Sequence, residues 1–222
     1  MKTELITNVS HDLKTPLTSI LNYVDMLKNN EFDKETINDY INILDKKAQR
    51  LKLLIEDIFE ASKLSSGDAE FNITKTDIKE LLIQSTVEFE DKIQSSNLEF
   101  IIKTPEYSVF TMIDGKKTWR VFENLINNIL KYSMPNTRVY IDMFTEKENI
   151  ILTFKNISND KLNLKPEELL ERFRRGDIAR KTDGSGLGLS IAQNIIELEN
   201  ANMQIVIDAD LFKVVLIFKK VN

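Results

Sequence analysis

His11 is the only histidine in the chain, and it stands in Ser10-His11-Asp12-Leu13-Lys14-Thr15-Pro16-Leu17. A neutral imidazole on an exposed helix can offer one ring nitrogen as a nucleophile while the other gives its proton to a carboxylate, and Asp12 is adjacent. Thr15 lies one helical turn further on, so its hydroxyl shares a face with the imidazole and could position a water for the reverse hydrolysis. A second group of polar residues interrupts an otherwise apolar segment, Asn124-Leu125-Ile126-Asn127-Asn128-Ile129-Leu130-Lys131-Tyr132. Asn124 and Asn128 are four apart and stack on one helical face, where amide oxygens can hold a hydrated cation without repelling phosphates; Lys131 follows on the same side. A third group, Asp183-Gly184-Ser185-Gly186-Leu187-Gly188-Leu189-Ser190, opens a helix. Its glycines let backbone N–H groups approach an anion, and the helix start adds its positive end, so a phosphate cradle is the natural reading, although glycine spacing alone also fits a flexible turn before a helix. Leu187, Leu189, Ile191 and Ile195 carry core-facing side chains in this reading.

These groups need elements to position them. From Ile6, the residues Ile6, Val9, Leu13, Pro16, Ile20, Tyr23 and Leu27 recur at steps of three and four, which predicts one long helix with His11 on its outer face. After a polar break at Asn29 to Asp33, Ile37, Ile41, Leu44, Ala48, Leu51, Ile55, Ile58 and Ser62 repeat the spacing, so a helical hairpin is expected. Leu17, Leu21 and Val24 leave an apolar flank uncovered on the first helix, and a second hairpin is expected to dock there as a dimeric four-helix bundle. Ser65-Ser66-Gly67-Asp68 ends the periodicity, giving domains at 1–66 and 67–222. Beyond it the patterns predict strands near Phe71–Thr74, Leu98–Lys103, Val109–Ile113, Arg138–Thr145, Ile150–Asn156, Met203–Asp208 and Phe212–Lys219. Helices are predicted near Ile78–Ser95, Lys116–Tyr132, Pro166–Arg172 and Leu187–Asn200. Adjacent hairpins late in the set argue for an α+β fold, a mixed sheet with helices on one face.

Composition narrows the classes of function. Hydrophobic residues make up 42% and charged residues 29% of 222, which suits a folded chain rather than a disordered one. A net charge of -5 gives no basic footprint for nucleic acid. Without cysteine and with one histidine, disulfide frameworks and zinc sites are set aside. No apolar run approaches the roughly 20 residues of a membrane span. The chain opens inside a helical pattern with no cap before it, so a soluble piece excised from a longer protein is expected.

The octet around His11 resembles, at every position, the phosphoacceptor motif of sensor histidine kinases of two-component systems. Asn124 to Ser133 resembles that family's asparagine box, and Asp183 to Ser190 its second glycine box. Glu171-Arg172-Phe173-Arg174-Arg175-Gly176-Asp177 resembles its phenylalanine box, with an ATP lid over Arg174 to Thr182. The resemblance implies autophosphorylation of His11 from ATP, with Asp12 as orienting base and Thr15 serving a phosphatase direction. It implies magnesium at Asn128, with Asn124 beside it, phosphate contact by Lys131 and packing of the nucleotide by Tyr132. Gly184, Gly186, Leu187 and Gly188 would form the phosphate turn. Arg174 would close over the triphosphate, although Arg174, Arg175 and Arg180 read equally well as solvated charges. It further implies a homodimer, phosphotransfer to the receiver domain of a response regulator, and a cytoplasmic position within a membrane-anchored bacterial parent. One departure stands out. Where the family carries an aspartate and two glycines at the adenine edge, this chain reads Asn156-Ile157-Ser158-Asn159-Asp160. Asn156 then takes the aspartate's place, and its neutral amide accepts a weaker hydrogen bond than a carboxylate, implying reduced ATP affinity. That departure leaves open a degenerate kinase serving as a dimerisation and docking module. An ATPase of the wider fold family, turning over ATP without forming a phosphoprotein, is the other alternative.

Overall fold

The computed structural model describes residues 2–30, 32–162 and 186–221, with side chains of the first helix from Leu13 onward. The chain divides into two compact units: among the described residues the first takes 2–63 together with Gly186 and Leu187, and the second takes the rest from Leu64 onward.

The helical unit is a hairpin of α1 (Lys2–Asn29) and α2 (Lys34–Ser66). Helix α1 continues through Pro16, whose ring removes one backbone donor without ending the helix. At the turn, Asp33 caps α2: its carboxylate accepts the Thr36 N–H at 2.8 Å, and its carbonyl accepts the Ile37 N–H at 3.1 Å. Tyr23 and Phe32 both meet Tyr40 edge to face, with centroids 5.3 and 5.2 Å away, which fixes the hairpin near its turn. The burial differs in part from the predicted seam. Pro16 and Leu54 are buried and Leu13, Ile20, Tyr23, Leu27, Leu44, Leu51 and Ile58 are half-buried, whereas Ile37, Ile41, Ala48, Ile55 and Ser62 are exposed. Leu17 and Leu21 are exposed as expected, but Val24 is half-buried. The apolar stripe is wider than one partner helix covers, so part of it closes the hairpin and part stays outside.

The second unit holds a seven-stranded mixed sheet. Its elements are β1 (Thr74–Asp77), α3 (Ile78–Glu88), α4 (Glu90–Gln94), β2 (Glu99–Lys103), β3 (Phe110–Ile113), α5 (Gly115–Tyr132), β4 (Arg138–Glu146), β5 (Asn149–Ile157), α6 (Gly188–Leu198), β6 (Asn202–Asp208) and β7 (Leu211–Val221). The sheet runs β1-β3-β7-β5-β4-β2, with β6 also paired to β7. Only β2 and β4 pair in parallel among the described strands. Strand alternation puts Val139, Ile141, Met143, Ile150, Leu152, Phe154, Phe212, Val214, Leu216 and Phe218 on one buried face. Helices α3, α5 and α6 form the covering layer, with α5 between the other two. Val121, Phe122, Leu125, Ile126 and Ile129 supply the apolar stripe of α5, each contributing roughly 1.5–3 kcal/mol by its burial.

Two boundaries depart from the pattern-based reading, each for a visible reason. The first strand lies at Thr74–Asp77 rather than Phe71–Thr74, because its partner β3 has only four residues, paired from Thr74 with Ile113 to Asp77 with Phe110. Upstream, the Asn72 N–H is taken instead by Asp114, which has already turned to cap α5. The single helix expected over Ile78–Ser95 breaks at Phe89, whose backbone leaves helical geometry at φ -94°, ψ 5° and whose ring is buried. Just before the break, the hydroxyls of Ser85 and Thr86 donate back to the Leu82 and Ile83 carbonyls, which weakens the final turn. The helix expected over Pro166–Arg172 lies outside the described residues.

Candidate nucleotide site

Helix α5 carries the asparagines because its other face is fully committed to the core. Asp114 starts it by accepting the N–H groups of Lys116 and Lys117 at 3.0 and 3.1 Å. Its end is tied to the end of β5 by the Met134 N–H donating to the Ile157 carbonyl and the Asn159 N–H donating to the Tyr132 carbonyl, both at 2.8 Å. Ser133 and Ser158 form a bridge between these bonds, and the Ser133 hydroxyl is buried with no hydrogen-bond partner among the described residues. The segment Lys131–Tyr132 and the strand end carrying Asn156 therefore belong to one locality.

Helix α6 runs antiparallel to α5. At its first residue, a methyl group placed on Gly188 would sit 3.2 Å from Asn124 Oδ1 and 3.4 Å from its Cγ, tighter than an ordinary contact. The first residue of α6 is thus seated directly on the asparagine helix, and Gly186 two residues earlier takes φ 68°, the left-handed region that glycine adopts freely. Asn124 is half-buried, yet its Nδ2 is buried and has no hydrogen-bond partner among the described residues. Leaving such a donor empty costs about 1–3 kcal/mol, which a ligand acceptor would recover. Asn128 is half-buried one turn along the same face, and the Lys131 ammonium lies 4.8 Å from the centroid of the Tyr132 ring. Among the described residues no cluster of three or more carboxylates or histidines could cage a metal by itself. A neutral amide at Asn128 suits a cation that keeps its water and shares phosphate oxygens, which is how magnesium binds beside nucleotides. The residues present fit both groups.

Asn156 is buried on β5, on the face shared with Phe154, whose ring is 6.1 Å from that of Phe122 on α5. Among the described residues its Nδ2 reaches only the Ile157 carbonyl, at 3.5 Å, which leaves most of its hydrogen-bonding capacity for a ligand. Leu187, Leu189, Ile191 and Ile195 are all buried. Gly184, Arg174, Arg175 and Arg180 lie outside the described residues, and for His11 and Asp12 the structure gives helical backbone only. Thr15 is exposed on α1, four residues beyond His11.

Sequence reasoning missed one cluster. Glu199, just past α6, is buried at 7% exposure and accepts the Asp114 N–H and the Thr118 hydroxyl, each at 3.0 Å. Burial pushes its carboxyl up to about 7; the Asp114 charge adds to this, and the hydrogen bonds from Thr118 and Asp114 oppose it. The aspartate before a helix was a readable cap signal, but nothing in Glu197-Leu198-Glu199-Asn200 distinguishes a buried carboxylate from a surface one. A cleft of about 500 Å³ opens at Glu99, Arg138, Tyr140 and Lys155, and Asn156 and Ile157 also line it. Its charges are already matched, Arg138 with Glu99 at 3.3 Å and Lys155 with Asp142 at 2.7 Å.

Comparison with known proteins finds a match in each part of the chain. Residues 1–67 match the His Kinase A (phospho-acceptor) domain, and residues 113–214 match the histidine kinase-, DNA gyrase B- and HSP90-like ATPase domain. The sensor protein VanSC of Enterococcus gallinarum is 34% identical over 202 residues, covering 88% of this chain and 54% of that protein. The sensor protein kinase WalK of Staphylococcus aureus is 30% identical over 209 residues, covering 90% of this chain and 49% of that protein. This chain therefore spans about half the length of these relatives. In fold it is similar to the Acinetobacter baumannii histidine kinase AdeS, with a TM-score of 0.73 at 18% identity over 96% of this chain and 98% of that one. It is also similar to histidine kinase ThkA, solved in complex with response regulator TrrA, with a TM-score of 0.78 at 23% identity over 98% of this chain and 61% of that one.

Proposed function

The chain belongs to the sensor histidine kinases of two-component systems, and on that premise we propose that it phosphorylates His11 from ATP and passes the phosphoryl group to an aspartate of a response regulator. The observation that carries the reading is the seating of Gly188 on Asn124, whose buried amide donor has no partner among the described residues. This contact supports reading the asparagine helix and the start of α6 as parts of one anion site.

In this reading the glycine turn at Gly184, Gly186, Leu187 and Gly188 and the Lys131 ammonium hold the phosphates, and Asn128, with Asn124 beside it, takes magnesium. Bound magnesium supplies neutralisation of the charge on the transferring group. Tyr132 packs against the nucleoside, Asn156 receives the base through its amide, and Arg174 closes over the triphosphate. A ring nitrogen of His11 attacks the terminal phosphorus in line. The nitrogen–phosphorus bond forms as the bond to the bridging oxygen breaks, ADP leaves, and the other ring proton is taken or oriented by Asp12. Thr15 serves dephosphorylation by placing a water. The hairpin of residues 1–66 is the dimerisation and phosphotransfer module, residues 67–222 bind the nucleotide, and the regulator docks on the hairpin near His11. The parent protein is anchored in a bacterial membrane with this portion on the cytoplasmic side; no described helix is long and apolar enough to cross a membrane by itself.

Incubation with radiolabelled ATP and magnesium should label the protein in a form that survives alkali and is lost in acid. His11→Gln should abolish the label, and retention of label in that variant would end the proposal.

A further inference from the structure

The buried cluster at the far end of α6 has no part in the chemistry above, yet it sits on the two helices that make the nucleotide surface. Helices α5 and α6 touch at two places that matter. At one, Gly188 is pressed on Asn124. At the other, eleven residues on, Glu199 takes the Asp114 N–H and the Thr118 hydroxyl at the start of α5. Two antiparallel rods pinned at one end have their separation at the other set by that pin. We propose that Glu199 is a positioning residue for the nucleotide site, holding α6 against α5 so that Gly188 seats on Asn124, and that it loosens this hold when it ionises.

The physical case is a like-charge pair. Asp114 is itself buried, and its carboxylate is committed to the N–H groups of Lys116 and Lys117 on one oxygen and of Asn72 on the other. It has no free hydrogen to offer Glu199. Among the described groups, the charge acting on Glu199 is that of Asp114, and the uncharged neighbours facing it are the Thr118 hydroxyl and the Asp114 N–H. With the Glu199 carboxyl protonated, α6 closes onto α5 without electrostatic cost. When it ionises, two carboxylates share a buried junction, and repulsion is relieved by moving the end of α6 away from the start of α5. The same Asp114 binds the Asn72 N–H in the segment that leads into β1.

The inference rests on the nucleotide-site reading, and its test separates the two. Magnesium-ADP binding to the full 222-residue chain is measured by titration calorimetry across about pH 6 to pH 8, for the wild type, Glu199→Gln and Thr118→Val. ADP titrates in this range too, so the quantity of interest is the ratio of wild-type to variant affinity. Wild-type affinity should fall by roughly threefold to tenfold relative to Glu199→Gln as pH rises, the size of a typical coupling between sites. Thr118→Val removes a hydrogen bond that favours the ionised form, so its midpoint should move to higher pH, an outcome that a merely structural role would not produce. A ratio that stays constant across the range, or a Thr118→Val midpoint that does not move, overturns the proposal. Absence of magnesium-ADP binding in the wild type at every pH instead removes the nucleotide-site reading beneath it.

Discussion

A few atoms of clearance decide how the proposed phosphate cradle works. At Gly188 any side chain would enter the 3.2 Å space before Asn124 Oδ1, and the neighbour that must yield is the amide whose donor is kept free. Gly188→Ala is therefore expected to lower nucleotide affinity about tenfold by turning Asn124 aside. Its stability should change by under about 1 kcal/mol, because the displaced atoms are the end of one side chain. Calorimetry with magnesium-ADP beside a urea melt checks both halves. Glu199 makes the complementary prediction about stability. Its carboxyl is raised from 4.5 to about 7 in the folded chain, so the folded state binds the proton more tightly than the unfolded state. Its favourable contribution is complete below pH 4.5 and is lost as pH rises through 7, a swing of about 3 kcal/mol if no other group compensates. Glu199→Gln should flatten that part of the stability profile and be the more stable protein at pH 8, as seen in denaturant melts run across the range.

At the level of elements, capping does much of the positioning. Asp77 opens α3 by accepting the N–H groups of Lys79 and Glu80 at 3.1 and 3.3 Å, and it also takes the Val109 N–H at 3.2 Å, joining the helix to the loop before β3. Burial raises its carboxyl, but hydrogen bonds from Ser108, Val109, Glu80 and Lys79 outweigh this and hold it below its usual value. Asp77→Ala should cost about 1–2 kcal/mol near neutral pH. The difference from wild type should close as pH falls below 3.8 and the native carboxylate is protonated. Paired urea melts at neutral and acid pH measure it. What the sequence made legible follows the same logic. Helix α5 begins within one residue of its predicted start and ends where predicted, because Asp114 caps it and its apolar stripe is regular. β1 and the break at Phe89 were not legible, since the first depends on the length of β3 and the second on where a phenylalanine ring finds its core. For the proposed site, residue types singled out Asn124, Asn128, Lys131 and Gly188 as candidates. The contact between Gly188 and Asn124, and the burial of Glu199, exist only once two distant segments lie side by side.

On the scale of the whole molecule, the hairpin leaves Leu17, Leu21, Ile37, Ile41, Ile55 and Phe59 exposed, the last at 65%. A pair of helices that keeps this much apolar surface in water is an incomplete core. Under the proposed dimer, Leu21→Asp combined with Phe59→Asp places charges in the shared interior and should convert the protein to monomer in sedimentation experiments, while leaving the magnesium-ADP affinity of the second unit within about twofold of wild type. A double variant that still sediments as the wild type does would remove this face as the dimer contact.

The place of β7 in the sheet has a consequence for how the protein is made. One edge of β7 takes β5 along nine residues, and the other takes β6 and then β3, so β1 and β3 join the remaining strands only through it. It is also the last described strand to leave the ribosome. Until Leu211–Val221 emerges, β1 with β3 and β2 with β4 and β5 have no strand to join them into one sheet. Pairings this far apart in sequence close slowly, and chaperones have their longest hold on the chain during that interval.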